Sequence, residues 1–347
     1  MYNYLNFAVR RLFCFTGLCL ISFTLYANAQ DIINPFEQAG DWHKAALHVH
    51  TSTSVGDVNV AIRIAQYRAK GFDVVFVTDK TKTNDLSGFN NKKFLAINGL
   101  ELTTTASPCH FLCLNTPRSL KLADNIPGQQ LINEVKRSGG EVIIAHPYWN
   151  NITLQRLLEL QDYIGIEVYN AVCDKSNARG YGNVHWDQLL NQKRYLPAIA
   201  VDDTHKDGSI LALGWIMIKT KELTAESVMN SLRSGCYYAS CGPTIEDFKI
   251  ENGFVNIKCS PAVQINFFAS AHLGRVIRPK DGNSLTEAQW KFSPNCGFVR
   301  AEVIDAQGNH AWTNPIVIKA TDNQAGIQKK NKTVKNRKRG NNAQQNK

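Results

Sequence analysis

No two cysteines of this chain stand in a C-x-x-C spacing, which argues against a zinc ribbon. No apolar run reaches the ~20 residues that a helix needs to cross a bilayer. The longest, Leu12 to Tyr26, falls short of that length. Net charge is scarce where it would matter most. The chain carries +10 overall, but residues 321–347 hold eight Lys or Arg against one Asp, and Arg10 and Arg11 add two more. Residues 30–320 are therefore nearly neutral, and the high isoelectric point is a property of the tail rather than of a nucleic-acid-binding body.

The N-terminus reads as processed sequence. Arg10 and Arg11 precede the apolar run, and Ala27-Asn28-Ala29 supplies an A-x-A cleavage site before Gln30. That layout is a secretory signal peptide over residues 1–29. It predicts an exported protein, periplasmic or secreted, with no transmembrane segment after cleavage. Of nine cysteines, Cys14 and Cys19 leave with the signal and seven remain. An odd number means that at least one thiol stays free or pairs between chains. Cys236 and Cys241 are close enough in sequence for a disulfide across a short loop. A length of 347 residues suggests two domains, and 44% apolar residues suffice for a sizeable core.

From Trp42 onward, strands and helices alternate. Ala45–Val49 reads as a strand, followed by a polar loop and a helix from Asp57, its expected cap, to Lys70. Val58, Ile62, Ala65 and Ala69 share one face of that helix, and Arg63, Gln66 and Lys70 another. Strands are expected at 74–77, 94–97, 142–145, 164–168 and 196–201, with helices at 129–137 and 184–191. This alternation predicts an α/β layer or barrel with a parallel sheet over residues 30–242. After Cys241-Gly242-Pro243 the runs become short and turn-rich, which predicts a small all-β sandwich over 243–320. Residues 321–347 form a basic tail almost without apolar residues, expected to be disordered. A polyanion such as nucleic acid is its conceivable partner, and a solvated end is the plainer reading.

The chemistry-bearing residues fall at strand ends. His48 and His50 close the first strand as His-Val-His, and residues two apart in a strand point the same way. Asp79 follows the second strand, Glu101 the third, and His110 comes shortly after. His146 ends the strand at 142–145, Glu167 lies in the next, and Asp202, Asp203 and His205 follow the last. Imidazole with carboxylate suits zinc, manganese or iron. A carboxylate shared by two ions would let them clamp an ester. Tyr148 and Trp149, beside His146, are candidates for a substrate wall, and Tyr148 and Glu167 are the substrate-binding candidates. Asp79, Lys80 and His205 are the catalytic candidates.

His48-Val49-His50-Thr51, Thr78-Asp79, Glu101, His110, Ala145-His146-Pro147 and Asp203-Thr204-His205 together resemble the PHP family, named for polymerase and histidinol phosphatase. The stretch from Arg300-Ala301-Glu302-Val303 to Ala311-Trp312-Thr313-Asn314-Pro315-Ile316 is similar to its exported CehA/McbA-like branch. The resemblance implies a distorted seven-stranded β/α barrel with up to three metals. It implies one ion held by His48, His50, Glu101 and Asp203, and a second by Glu101, His110 and His146. The chain departs from the pattern at Val55 and Lys80, where the family has metal ligands. Only His205 remains for a third ion, so two ions are expected.

Two functions follow. The first is an exported hydrolase of a phosphoester, a diester before a monoester, or of a carboxylic or carbamic ester, acting on a small or nucleotide-like molecule. The second is a binding or structural protein that has lost turnover, motivated by Val55 and Lys80.

Overall fold

The computed structural model describes residues 32–319 except 81, 119, 207, 208 and 281. The expected signal peptide and the basic tail lie outside the described residues.

The first half interleaves strands β1 (Asp41–Ala46), β2 (Val74–Val77), β3 (Leu95–Thr104), β4 (Ser107–Leu114), β5 (Glu141–Ala145), β6 (Gly165–Asn170) and β7 (Ala198–Val201) with helices α1 (Val60–Ala69), α2 (Gly128–Arg137), α3 (Leu154–Glu159), α4 (Ala171–Asn177) and α5 (Asn183–Asn191). Next come β8 (Trp215–Thr220), α6 (Ala225–Ser234) and β9 (Tyr237–Ser240). The remainder is all strand: β10 (Ile245–Glu251), β11 (Phe254–Ala262), β12 (Gln264–Ala269), β13 (Gly274–Ile277), β14 (Leu285–Lys291), β15 (Phe298–Ile304), β16 (His310–Thr313) and β17 (Ile316–Val317).

One long sheet runs β13-β12-β15-β16-β9-β8-β1-β2-β3-β4-β5-β6-β7, with β17 on β15; a second sheet runs β10-β11-β14. The pairs β1-β2, β2-β3, β5-β6 and β6-β7 are parallel, and β3-β4 and β4-β5 are antiparallel. The architecture is mixed α/β. Strands such as β2, buried at all four residues, are covered on both faces, which is why they read as unbroken apolar runs.

The strand pairing does not show the expected distorted seven-stranded barrel closed: the sheet is an open path. The continuations of β1 and β7 meet only at one parallel bridge, Val49 to Thr204, with His50 N on Thr204 O at 3.1 Å and Asp203 N on His48 O at 3.0 Å. β4 was invisible in the alternation because it is a hairpin return rather than a β/α unit. It turns back at Thr104 and Ser107 and carries His110 on a strand of its own.

Helix α1 corrects a second expectation. Its cap is Asn59, whose side chain accepts from Ile62 N. Its buried residues are Arg63, Ile64 and Tyr67, while Ile62 is 48% exposed. The hydrophobic stripe was misassigned because a buried arginine replaced an apolar residue on the inner face. Cys236 and Cys241 flank the extended strand β9 and are both free thiols. The four residues of β9 lie between them, and five steps of ~3.3 Å set them roughly 16 Å apart, too far for a disulfide.

One core lies between the first-half strands and their helices, with Trp186, Phe76 and Phe111 fully buried. A second lies between the two sheets of the C-terminal part around Phe248, Phe267 and Val303, and Phe36, Trp42 and Met217 from earlier in the chain pack onto it. Among the described residues no helix is long and apolar enough to cross a membrane.

Candidate metal centre

The parallel strands deliver their C-terminal ends to one place. His48 and His50 follow β1, His146 follows β5 and Asp203 follows β7; Glu101 sits within β3 and His110 near the start of antiparallel β4, at the same end. Gly99 lets β3 run close to its neighbours, because a Cβ there would lie 2.7 Å from Cys113 O and 2.8 Å from Thr78 Cγ2. His146 and Asp203 hold left-handed backbone angles, φ 25° and 57°. Non-glycine residues adopt that region at a cost, and such strain collects at functional sites.

The structure gathers His48, His50, Glu101 and Asp203 into one group, and Glu101, His110 and His146 into another, with one donor atom per residue lying within 4.8 Å of every other donor of its group. All are buried except His110, which is partly exposed. Glu101 joins the two groups with separate oxygens. Oε1 lies 2.8 Å from His110 Nδ1 and 3.2 Å from His146 Nε2. Oε2 lies 3.3 Å from His50 Nε2 and 3.6 Å from His48 Nε2. Asp203 Oδ1 lies 3.1 Å from His50 Nε2 and 3.2 Å from His48 Nε2.

These donors fit a cation. His48 Nδ1 donates to Glu167 Oε1 at 2.7 Å, which aims Nε2 at the carboxylates of Glu101 and Asp203. His48 Nε2 and Glu101 Oε2 are buried and make no aligned hydrogen bond. A carboxylate that takes the far ring N–H in this way is the usual outer partner of a metal-binding histidine. Burial opposes charge on His48, yet Asp203, Glu167 and Glu101 outweigh it and hold its pKa well above the ordinary value. His50 and His146 are raised in the same way, against their burial, by Asp203 and Glu101. Glu101 is pushed well below the carboxylate range because the four histidines around it, His110 and His146 on Oε1 foremost, outweigh its burial. Asp203 is lowered against its burial by His48 and His50. Protons on the imidazoles and a divalent ion are alternative ways of satisfying the same buried carboxylates.

The other candidates have different surroundings. Glu167 faces away from any opening: it takes His48 on Oε1, and His146 N and Asn170 Nδ2 on Oε2 at 2.7 and 2.9 Å. Asp79 is wholly buried and accepts from Thr51 N, Thr51 Oγ1, Ser54 Oγ and Asn84 Nδ2, so its carboxylate ties the 51–56 loop to the end of β2. Asp202 turns opposite to Asp203 and accepts from Tyr67 Oη and from the backbone of Ala212, Leu213 and Gly214. Lys80 Nζ stands 2.9 Å from Glu101 Oε2 with its side chain 31% exposed. His205, half-buried, bonds through Nδ1 to Asp203 O at 2.7 Å, and burial lowers its pKa. Tyr148 is exposed, with its ring beside His185 and Arg179, and Trp149 lies edge-on to His146 and His110.

Two supporting residues escaped the sequence reading. Asn170 donates to Glu167 and to Asp203 Oδ2, coupling the outer and inner carboxylates. Arg63, fully buried, donates to His50 O at 3.1 Å and His205 O at 3.3 Å and pairs with Asp57. An arginine at a helical position facing a histidine-bearing strand end was the available signal for the second; nothing local marked the first.

Neither a family model nor a curated protein matches the chain. Solved structures that resemble it include a two-domain protein of Bacteroides vulgatus containing a predicted PHP-like metal-dependent phosphoesterase, at 17% identity and TM-score 0.49, covering 79% of this chain and 94% of that one. Another is an amidohydrolase of Chromobacterium violaceum, at 14% identity and TM-score 0.39, covering 48% and 89%. A third is a metal-dependent phosphoesterase, so named by prediction, of Bifidobacterium adolescentis, at 16% identity and TM-score 0.37, covering 56% and 98%. Likenesses this remote do not establish an activity, so function rests on the donor atoms themselves.

Proposed function

We propose that the chain is an exported hydrolase with a dinuclear metal centre that cleaves a phosphodiester or a carboxylic or carbamic ester. The carrying observation is the shared carboxylate: Glu101 turns one oxygen to His110 and His146 and the other to His48 and His50. That arrangement suits two divalent ions, of zinc, manganese or iron. Ions held there supply a Lewis acid for the scissile group and a water acidic enough to attack near neutral pH. The resemblance of the motifs to the PHP family, in its exported branch, supports the same reading.

The protein's own groups then have distinct tasks. Glu167 fixes the His48 ring, and Asn170 holds Glu167 and Asp203 in register. Lys80 is a fixed positive charge at the partly open side of Glu101, suited to an anionic oxygen of the substrate. His205, partly exposed with burial favouring its neutral form, is placed to exchange a proton with a leaving group.

Elemental analysis of the mature protein, purified without chelators, tests the reading. About two ions per chain, lost on Glu101→Ala together with hydrolysis of bis(p-nitrophenyl) phosphate or an aryl ester, is the expected result. A protein that neither contains nor takes up zinc, manganese or iron would sink it.

The Lys80–Glu101 contact favours a second reading, a binding protein in which a side-chain ammonium has taken the place of an ion. The double change Val55→Asp and Lys80→His separates the two. A large gain in hydrolysis indicates a silenced ancestor, and no gain in an already active protein indicates a two-metal enzyme.

A further inference from the structure

Glu101 serves both donor groups, one oxygen to each, and Lys80 has hold of one of those oxygens. Its Nζ lies 2.9 Å from Oε2, the oxygen that faces His48 and His50, whereas Oε1 faces His110 and His146. The backbone keeps the pair together. Lys80 and Glu101 are bridged as parallel neighbours, and Glu101 N donates to Thr78 O at 3.1 Å. Asp79, between Thr78 and Lys80, turns its carboxylate to Thr51, Ser54 and Asn84, which fixes the chain from which the lysine springs. The Lys80 side chain is 31% exposed and that of Glu101 only 1%, so the ammonium reaches from the solvent side onto a buried carboxylate.

Among the gathered donors only Glu101 and Asp203 are carboxylates, and Asp203 stands with His48 and His50. An ammonium on Glu101 offsets one of those two charges. A divalent ion entering beside Oε2 therefore meets a weakened donor and a like charge a few ångströms away. Roughly 5 Å from a unit charge, even with the screening of bulk water, the repulsion of a divalent ion is worth about tenfold in affinity, and burial raises it. We infer that Lys80 sets the metal affinity of the centre. It competes with an ion for Glu101 Oε2 and holds the position formed by His48, His50, Glu101 and Asp203 weaker than those four donors alone would make it. The inference rests on the metal-centre reading above and adds an internal control of loading. The ion pair stabilises the metal-free form, and an ion that wins the oxygen turns the ammonium outward on its flexible stem.

The test measures zinc affinity by chelator competition on the full chain, with thermal melts in the presence and absence of zinc. Lys80→Met and Lys80→Arg are compared with the unmodified protein, each also in a His110→Ala background that leaves the four-donor group intact. Lys80→Met is expected to bind zinc about tenfold more tightly, to melt lower without zinc and to gain more from it. Lys80→Arg keeps the charge and is expected to stay within about threefold of the unmodified protein. Lys80→Gln carries the comparison should Lys80→Met fold poorly. Equal or weaker zinc affinity in the uncharged variant overturns the inference. So does an equal tightening by Lys80→Arg, which would assign the effect to shape rather than charge. Zinc uptake by the unmodified protein that Lys80→Met does not strengthen refutes the role of Lys80 alone and leaves the metal centre standing. Failure of the unmodified protein to take up any metal refutes the metal-centre reading, and Lys80→Met then decides the inference by itself: uptake by that variant supports it, and none overturns it.

Discussion

Glu167 and His48 form the bond on which the orientation of the donor cluster depends. Oε1 of Glu167 takes the His48 Nδ1 proton at 2.7 Å, and its other oxygen takes the backbone N–H of His146 at 2.7 Å. One carboxylate that touches no solvent therefore sets the ring of one donor and the backbone of another. Replacing it by Glu167→Gln keeps the shape but weakens the acceptor. Zinc affinity should fall about 10–100-fold, the range for outer partners of metal-binding histidines, with little loss of fold. A chelator competition assay beside a thermal melt reads both, and unchanged affinity would show that Glu167 only fills space.

Arg63 offers a stability test. Its guanidinium is fully buried and reaches His50 O, His205 O, Gln66 and Asp57. Arg63→Met leaves buried carbonyls without donors, and should cost about 3 kcal/mol or more in urea unfolding. Arg63→Lys should recover only part of it, since one ammonium cannot reproduce the planar fork. A full recovery would mean that charge alone matters there.

Glu302 predicts a pH dependence away from the centre. It accepts from Asn183, Trp312 and Asn266, and lies 2.9 Å from His310 Nδ1. Burial raises its pKa, but His310 and Arg300 prevail and hold it at about 2 against an ordinary value of 4.5. Because the folded value is the lower one, the stabilisation is present above the unfolded pKa and is lost as pH falls from about 4.5 through about 2. Chemical unfolding from pH 6 to pH 2 should show wild-type stability falling toward that of Glu302→Gln. A constant gap between the two over that range would contradict the assignment.

Asn314 should matter out of proportion to its size. Its side chain accepts from Ala198 N and donates to Gly235 O and Tyr237 O, joining β7 to the turn before β9. Asn314→Ala strands these buried groups, at a cost of about 2 kcal/mol or more, and Asn314→Asp should not restore the two donated bonds. Differential scanning calorimetry on both variants decides it.

Much of the donor cluster was legible because strand ends advertise themselves. His48-Val49-His50, Asp203 and His146 each follow an apolar run whose period is unambiguous. The hairpin β3-β4 was not, since β4 returns without an intervening helix and its Ser107-Pro108 start reads as a loop. Arg63 was read as a surface residue because periodicity scores charge as exposure and has no term for a guanidinium satisfied by carbonyls. Asp79 resembled a reactive group by its place after β2; only the three-dimensional partners Thr51, Ser54 and Asn84 show its carboxylate engaged with the loop. The run Arg300 to Asn314 has a physical basis as well. Arg300 packs over Trp186 and bonds Asp187, while Glu302 reaches Asn183, so three consecutive contacts bind β15 to α5.

The unbroken path of the main sheet from β13 through β16 and β9 into β1 has a mechanical meaning. Parts of a chain that share one hydrogen-bonded sheet can move apart at the β16–β9 seam only by breaking that pairing. The same continuity makes unfolding a shared event: separating the second core from the first requires unzipping β16 from β9, and the halves should melt in one transition.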